Sequence, residues 1–96
     1  MGAIADRLRS KLDQALNPRI VEITDDSAKH SGHSGAREGG ESHFSVLIVS
    51  ESFEGLGRVA RQRLVNATLA EELAGPVHAL SLKTLTPAES DAESAA

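Results

Sequence analysis

The sequence predicts an α+β domain in which a three-stranded sheet carries helices on one face. Apolar residues recur at helical spacing near the N-terminus and again in the second half of the chain, and three short aliphatic segments have the composition of strands. The 96 residues suffice for one hydrophobic core and not for two. The predicted order is helix, strand, strand, one or two helices, and strand.

The first helix is predicted from Ala3 to about Leu16. Its apolar residues recur every fourth position and form one stripe on a helix: Ile4, Leu8, Leu12 and Leu16. Asn17-Pro18 should end this helix, because the residue before a proline avoids the α conformation.

Two strands should follow and pair as a hairpin. The β-branched segment from Arg19 to Thr24 predicts the first strand, and alternation from His43 to Ser50 predicts the second. The segment from Asp25 to Glu41 between them is rich in glycine and serine and holds no large aliphatic residue. We expect it to be a long, mobile loop at the tip of the hairpin, and loops of this length are usually functional or disordered.

A second helical region is predicted from about Leu56 or Arg58 to Leu73, with a bend near Gln62 if it forms two helices. Its apolar positions fall in two adjacent helical rows: Leu56, Ala60 and Leu64, and then Val65, Leu69 and Leu73. Ala74-Gly75-Pro76 should end it.

The third strand is predicted from Val77 to Lys83, with His78, Leu80 and Leu82 on one face. Thr86 and Pro87 have the residue types of an N-cap and a first helical position, which predicts a short last helix. Residues from Ser90 onward look frayed. These expectations divide the chain into a folded domain at 1–87 and a flexible tail at 88–96.

Composition bounds the class of function. The formal net charge of −4 and the sequence pI near 5.5 argue against nucleic acid as the main partner, since phosphate binding needs a basic surface. There is no cysteine, so the chain offers neither a disulfide nor a thiolate ligand. We expect no membrane association and a cytoplasmic location, because no apolar run approaches the length of a membrane span and no signal-peptide core is present.

Four histidines are the candidate metal ligands of a chain without cysteine: His30, His33, His43 and His78. A loop histidine, His30 or His33, and His78 at the start of the third strand can converge on one edge of the sheet. The ordinary interpretation of a loop histidine is a solvated polar residue, and His43 has the position of a hydrogen-bonded structural residue. These histidines do not form a recognisable zinc motif.

Three arginines near the start of the second helical region, Arg58, Arg61 and Arg63, form a basic cluster. Most such clusters are solvated helix faces. The first alternative is docking onto an anionic group of a partner, and the second is DNA binding through a helix-turn-helix. Catalysis has weaker support, because no residue pattern presents a nucleophile with an oxyanion hole, and the loop glycines do not match a phosphate-binding loop.

A series of motifs, taken together and in order, resembles the BolA family over nearly the whole chain. They are Asp25-Asp26-Ser27, a histidine-containing loop, Glu41-Ser42-His43-Phe44, Val49-Ser50, Phe53-Glu54-Gly55, Arg61-Gln62-Arg63-Leu64-Val65, Leu69-Ala70-Glu71-Glu72-Leu73, Val77-His78-Ala79-Leu80 and Thr86-Pro87. Each motif is weak alone, and their order makes the resemblance specific.

The resemblance implies an αββααβ fold related to the class II KH fold, with a helix-turn-helix-like segment. It also implies a non-enzymatic role: pairing with a monothiol (CGFS) glutaredoxin, with which the chain would share a [2Fe–2S] cluster held together with glutathione. His78 matches the family's ligand on the last strand, and the second ligand would be His30 or His33. Without the partner we expect a monomer or weak dimer.

The resemblance also leaves DNA binding as the alternative function. The family usually has an Arg-His-Arg motif at this point, whereas this chain has Gln62 in place of the histidine. Any role of that middle histidine is therefore in doubt, whereas the ligand position at His78 is unaffected.

Overall fold

The computed structural model describes residues 2–26 and 43–95. It confirms the α+β class and the predicted order of elements, with one added three-residue 3-10 helix at Glu51–Phe53. The helices and strands are α1 (Ala3–Leu16), β1 (Ile20–Asp25), β2 (His43–Val49), α2 (Arg58–Thr68), α3 (Ala70–Ala74), β3 (Ala79–Leu85) and α4 (Pro87–Ala95).

The three strands form one mixed sheet in the order β1-β2-β3. β1 and β2 are antiparallel, which confirms the predicted hairpin, and β2 and β3 are parallel. A parallel pair needs a crossover connection, which α2 and α3 supply here. One end of the sheet, the loop end, therefore brings together Asp25, His43 and Ala79; the opposite end, the closed end, brings together Ile20, Val49 and Leu85.

The hydrophobic core lies between one face of the sheet and the helices. β2 is the central strand, and three alternate residues on one of its faces are almost fully buried: Phe44, Val46 and Ile48. The predicted stripe of α1 packs against them, together with residues from the helical crossover and the 3-10 helix: Leu8, Leu12, Leu16, Phe53, Val65 and Leu69. Burial of these apolar surfaces is the main force that holds the helices on this face.

The end of α1 is fixed by its own backbone and by the chain after β2. Asn17 adopts the left-handed conformation (φ 43°), and its N–H bonds the Asp13 carbonyl 3.1 Å away. The buried Ser50 hydroxyl donates to the Leu16 carbonyl at 2.7 Å, and the Ser52 hydroxyl donates to the same oxygen at 3.2 Å. The predicted helix end is therefore confirmed, and it is tied to the closed end of the sheet.

The helical crossover breaks at Leu69, not near Gln62 as expected. Leu69 is fully buried and leaves helical geometry at φ −106° and ψ 21°. At the preceding residue, the Thr68 hydroxyl donates to the Leu64 carbonyl at 2.9 Å, a local bond that is often found where helices bend. The anchoring of the Leu69 side chain in the core thus decides where the helix divides.

The third strand begins two residues later than predicted, at Ala79. The Val77 N–H bonds the Glu72 carbonyl at 2.9 Å, so this residue closes the end of α3 instead of joining the sheet. His78 consequently lies just before β3.

The last helix is longer than expected, because residues 90–95, predicted to be frayed, continue the helix from Pro87. Thr86 and Glu89 form a capping box: the Glu89 N–H donates to the Thr86 hydroxyl, and the Thr86 N–H donates to the Glu89 carboxylate. The division between a domain at 1–87 and a tail at 88–96 stays a prediction.

Candidate functional site

The loop end of the sheet is where the predicted site residues meet. β1 ends there at Asp25, and β2 begins there at His43, so residues 27–42 leave and re-enter the described structure at this end. His43 is half-buried and pairs with Ala79 in the parallel register of β2 and β3. Ala79 is the residue that follows His78 in the chain. His78 is exposed. His43, His78 and both ends of the intervening segment therefore lie at the same end of the sheet.

The other two predicted ligands, His30 and His33, lie outside the described residues. The chain that precedes them is held at its last described position, where the Ser45 hydroxyl on β2 donates to the Asp26 carboxylate. This contact fixes the point from which the segment leaves the sheet.

The described residues do not complete a metal site by themselves. Within 2–26 and 43–95, no three side chains of His, Cys, Asp or Glu lie close enough to hold a metal ion together. Any metal group bound through His78 would therefore need ligands from residues 27–42 or from another molecule.

The three predicted arginines have different surroundings. The guanidinium of Arg61 donates to the carbonyls of Leu56 and Thr84 at 2.9 and 3.1 Å, and to both carboxylate oxygens of Glu89 at 2.6 and 3.2 Å. Its side chain is only 12% exposed. Arg58 and Arg63 are exposed. Arg61 therefore acts within the fold, and the two others present free surface charge.

The Arg61 guanidinium and the capping box determine the ionisation of Glu89. Hydrogen bonds from Arg61 and from the Thr86 backbone lower the pKa of Glu89 to about 2. The same pairing raises the pKa of Arg61 further. This cluster joins α2, β3 and the first turn of α4.

A second ionic cluster, which the sequence analysis missed, centres on Glu72 in α3. Its carboxylate is fully buried and receives Arg7 Nη2 at 2.8 Å and Lys11 Nζ at 2.9 Å, both from α1. Burial raises the pKa of Glu72, but hydrogen bonds from Lys11, from its own backbone and from Arg7 outweigh burial and lower it. The i, i+4 spacing of Arg7 and Lys11 puts both cations on one side of α1. This spacing is the sequence signal from which a cationic patch on α1 could have been predicted.

The helix-turn-helix interpretation meets a geometric difficulty. A single residue, Leu69, separates α2 from α3, whereas a DNA-binding helix-turn-helix has a turn of three or four residues. α3 has five residues, or about 7.5 Å of helix, and its first turn contains Glu71 and Glu72. A short acidic helix is poorly suited to the major groove.

No helix within residues 2–26 and 43–95 is long and apolar enough to cross a membrane. One relative has an organelle in its name: "Protein BOLA1, chloroplastic" of Arabidopsis thaliana. It is 48% identical to this chain over 88 residues, which cover 90% of this chain and 55% of that protein. An organelle is thus the location printed for this relative, in contrast to the cytoplasmic location expected from the sequence.

Comparison with known proteins gives consistent matches over most of the chain. "BolA-like protein 1" of Bos taurus is 47% identical over 89 residues, which cover 93% of this chain and 63% of the relative, so the chain spans less than two thirds of that protein. The "DNA-binding transcriptional regulator BolA" of Vibrio cholerae is 44% identical over 86 residues, with 90% of this chain and 77% of the relative covered.

Solved structures agree with this fold. The structure of BolA1 from Arabidopsis thaliana matches with a TM-score of 0.82 and 45% identity, over 93% of this chain and 97% of that one. The family model described as "BolA-like protein" matches residues 12–89, from the middle of α1 to the first turn of α4. The match therefore includes the whole sheet, His78 and both ionic clusters except Arg7 and Lys11, and the chain belongs to the BolA-like protein family.

Proposed function

We propose that this chain is a non-enzymatic partner of a monothiol glutaredoxin, with which it shares a [2Fe–2S] cluster in iron–sulfur trafficking or iron regulation. One observation carries the proposal. The exposed His78 and both ends of the segment that contains His30 and His33 lie at the same end of the sheet. This arrangement lets two imidazoles of one chain face a common partner.

The ligand chemistry supports a shared cluster over one held by this chain alone. A [2Fe–2S] cluster needs four ligands besides its bridging sulfides, and these are usually thiolates, but two imidazoles replace two thiolates in Rieske centres. This chain has no cysteine, and its described residues do not complete a metal site. In the proposed complex the glutaredoxin cysteine and glutathione supply two thiolates, while His78 and either His30 or His33 supply two imidazoles.

The fold gives His78 a fixed backbone at an accessible surface. The residue before it, Val77, is almost fully buried and bonded to α3, and the residue after it begins β3. A ligand between two anchored positions loses little conformational entropy on binding.

A visible circular dichroism titration tests the proposal. A [2Fe–2S]-loaded monothiol glutaredoxin is titrated with this protein and with its His78→Ala variant. We expect a new spectrum that saturates at one to one for the natural sequence and is lost for His78→Ala. His30→Ala and His33→Ala, measured singly, should identify the second ligand, because only one of them should abolish the change.

Asn66→Ala is the matched control, since this exposed and uncharged residue lies on α2 and should leave the spectrum unchanged. Far-ultraviolet spectra check that each variant is folded. An unchanged glutaredoxin spectrum on addition of the natural protein would contradict the proposal.

DNA binding is the second candidate, and the name of the Vibrio cholerae relative favours it. Arg58 and Arg63 are exposed cations that could contact phosphates. The net charge of −4 and the short acidic α3 argue against it. Sequence-preferring duplex binding that weakens steeply with salt, and that Arg58→Ala and Arg63→Ala both reduce, would support this candidate.

A further inference from the structure

A groove of about 780 Å³ lies between the first turn of α2, the second half of β3 and α4. It is lined by Arg58 and Gln62 from α2, by Leu82 and Thr84 from β3, and by Glu89 and Glu93 from α4. These parts of β3 lie towards the closed end of the sheet, whereas His78 precedes the strand at the loop end. The groove is thus separate from the proposed cluster site.

One wall of the groove is the outer edge of β3. β3 is an edge strand of the sheet, and its Leu85 carbonyl accepts the Ser50 N–H on the β2 side. The carbonyl of the preceding residue, Thr84, instead accepts from Arg61. Successive backbone groups of a strand alternate in direction, so the N–H and C=O of Leu82 and of Leu80 point outward, as those of Thr84 do.

These outward groups are available for pairing. Across residues 2–26 and 43–95, no hydrogen bond from outside the sheet reaches the backbone of Leu80 or Leu82. Exposed edges of this kind are templates for an added strand, and many peptide-binding domains use them in that way.

The charges around the groove indicate what kind of strand would fit. The groove is lined by three cations, Arg58, Arg61 and Lys83, and by two carboxylates. Both carboxylates form ion pairs: Glu89 with Arg61 at 2.6 Å and Glu93 with Lys83 at 2.9 Å. Arg58 is the remaining cation. It is the first residue of α2, and the first turn of that helix holds no acidic residue.

Arg58 is placed where a cation is locally unfavourable, at the positive end of a helix dipole. A carboxylate bound beside it would be stabilised by the guanidinium and by the helix end together. Residues that are unfavourable for the local structure, such as a cation in the first turn of a helix, often occur at functional positions.

We propose that this groove binds an extended acidic segment of a partner protein, which adds to the edge of β3 as a fourth strand and places a carboxylate on Arg58. The backbone of Leu80 and Leu82 supplies the ladder hydrogen bonds, and Arg58 supplies the preference for acidic side chains. A second copy of this chain fits poorly, because symmetric pairing of two β3 edges would bring two cationic grooves together.

NMR spectroscopy of the ¹⁵N-labelled protein tests this proposal with a short, acetylated and amidated peptide of alternating valine and glutamate. We expect the largest amide shifts at Leu80, Leu82 and Arg58, and no binding of the same peptide with lysine in place of glutamate. Arg58→Glu should weaken binding about tenfold or more, the order expected for the loss of a charge-assisted pair.

Arg63→Glu is the matched control, because it makes the same change of charge on an exposed residue of α2 that does not line the groove. Its affinity should stay within about twofold of the natural protein. Equal weakening by both variants would show general electrostatic attraction and overturn the proposal.

Two N-methylated peptides test the strand-like mode directly. Methylation at alternate positions blocks the donors on one side of an added strand, so one pattern should abolish binding and the other should leave it intact. Equal affinity of both peptides, shifts centred on the β1 edge at Ile23, or displacement of the peptide by duplex DNA would overturn the proposal. None of these readouts involves the cluster, so failure here would leave the glutaredoxin proposal standing.

Discussion

The two ionic clusters of this domain differ in the sign of the charge that is buried. In the Arg61 cluster the cation is buried, with a side chain 12% exposed, and the Glu89 carboxylate is 46% exposed. In the Glu72 cluster the carboxylate is fully buried, and its cations Arg7 and Lys11 are 48% and 31% exposed.

This difference decides which substitution each cluster tolerates. Loss of an exposed partner leaves the buried charge behind, and an uncompensated buried charge is the costly species. Arg61 would keep two carbonyl acceptors if Glu89 were lost. Glu72 would keep only its backbone hydrogen bond if both cations were lost. The Glu72 cluster should therefore be the more sensitive to changes in its exposed residues.

The largest effect is expected for the double variant Arg7→Met and Lys11→Met. The Glu72 carboxylate would stay buried without a cation, and we expect the free energy of unfolding to fall by about 3 kcal/mol. Urea denaturation at pH 7 measures this loss. Methionine keeps most of the apolar stem of each side chain, so the change reports mainly on charge.

The matched control makes the same double change in a Glu72→Leu background. With no buried carboxylate present, removal of the two cations should have little further effect. An equally large loss in that background would mean that Arg7 and Lys11 stabilise the fold through contacts other than Glu72.

A smaller loss, about 2 kcal/mol, is expected for Arg61→Met. The carbonyls of Leu56 and Thr84 would lose their side-chain donor, whereas the half-exposed Glu89 can be hydrated by water. Arg58→Met, an exposed arginine on the same helix, should change the unfolding free energy by less than about 0.5 kcal/mol. Similar losses for the two variants would contradict the assignment of Arg61 to the interior of the fold.

The smallest effect is the acid response of the Arg61 cluster. The folded protein lowers the pKa of Glu89 from 4.5 to about 2. Glu89 therefore stabilises the fold fully above its unfolded pKa, and this contribution is lost as the pH falls from about 4.5 towards 2.

Urea midpoints measured at pH 5, 4 and 3 test this response. The decline should be shallower in Glu89→Gln, which cannot lose a charge but can still accept from Arg61. A decline of the same steepness in both proteins would show that other carboxylates control acid stability, with Glu72 as the first candidate because its pKa is also lowered.

Periodicity predicted much of this fold. The four-residue stripe of α1 identified that helix and its buried face, and the alternation of β2 identified that strand, because both patterns are local. The break at Leu69 was not predicted, since it depends on the anchoring of that side chain in the core. The start of β3 was also missed, because a bond from Val77 to Glu72 competes with the sheet.

The candidate site was predicted unevenly for a similar reason. His78 followed from the resemblance to the family, and its place at the loop end follows from the parallel pairing of β2 and β3. In the Glu72 cluster, Arg7 and Glu72 are 65 positions apart in the sequence. No local pattern predicts which acidic residue Arg7 and Lys11 will pair with. The sequence likewise grouped three arginines by proximity, and only tertiary contacts separate Arg61 from the exposed pair.

The central position of β2 has a consequence for synthesis of the chain on the ribosome. Residues 44–49 are almost wholly apolar and carry no charge, and such windows are prone to aggregate when exposed. About 30 residues separate this strand from β3, which corresponds to roughly 2–6 s of translation. Throughout that interval one edge of β2 lacks its neighbour, so the nascent chain presents an unpaired, apolar strand edge until β3 emerges.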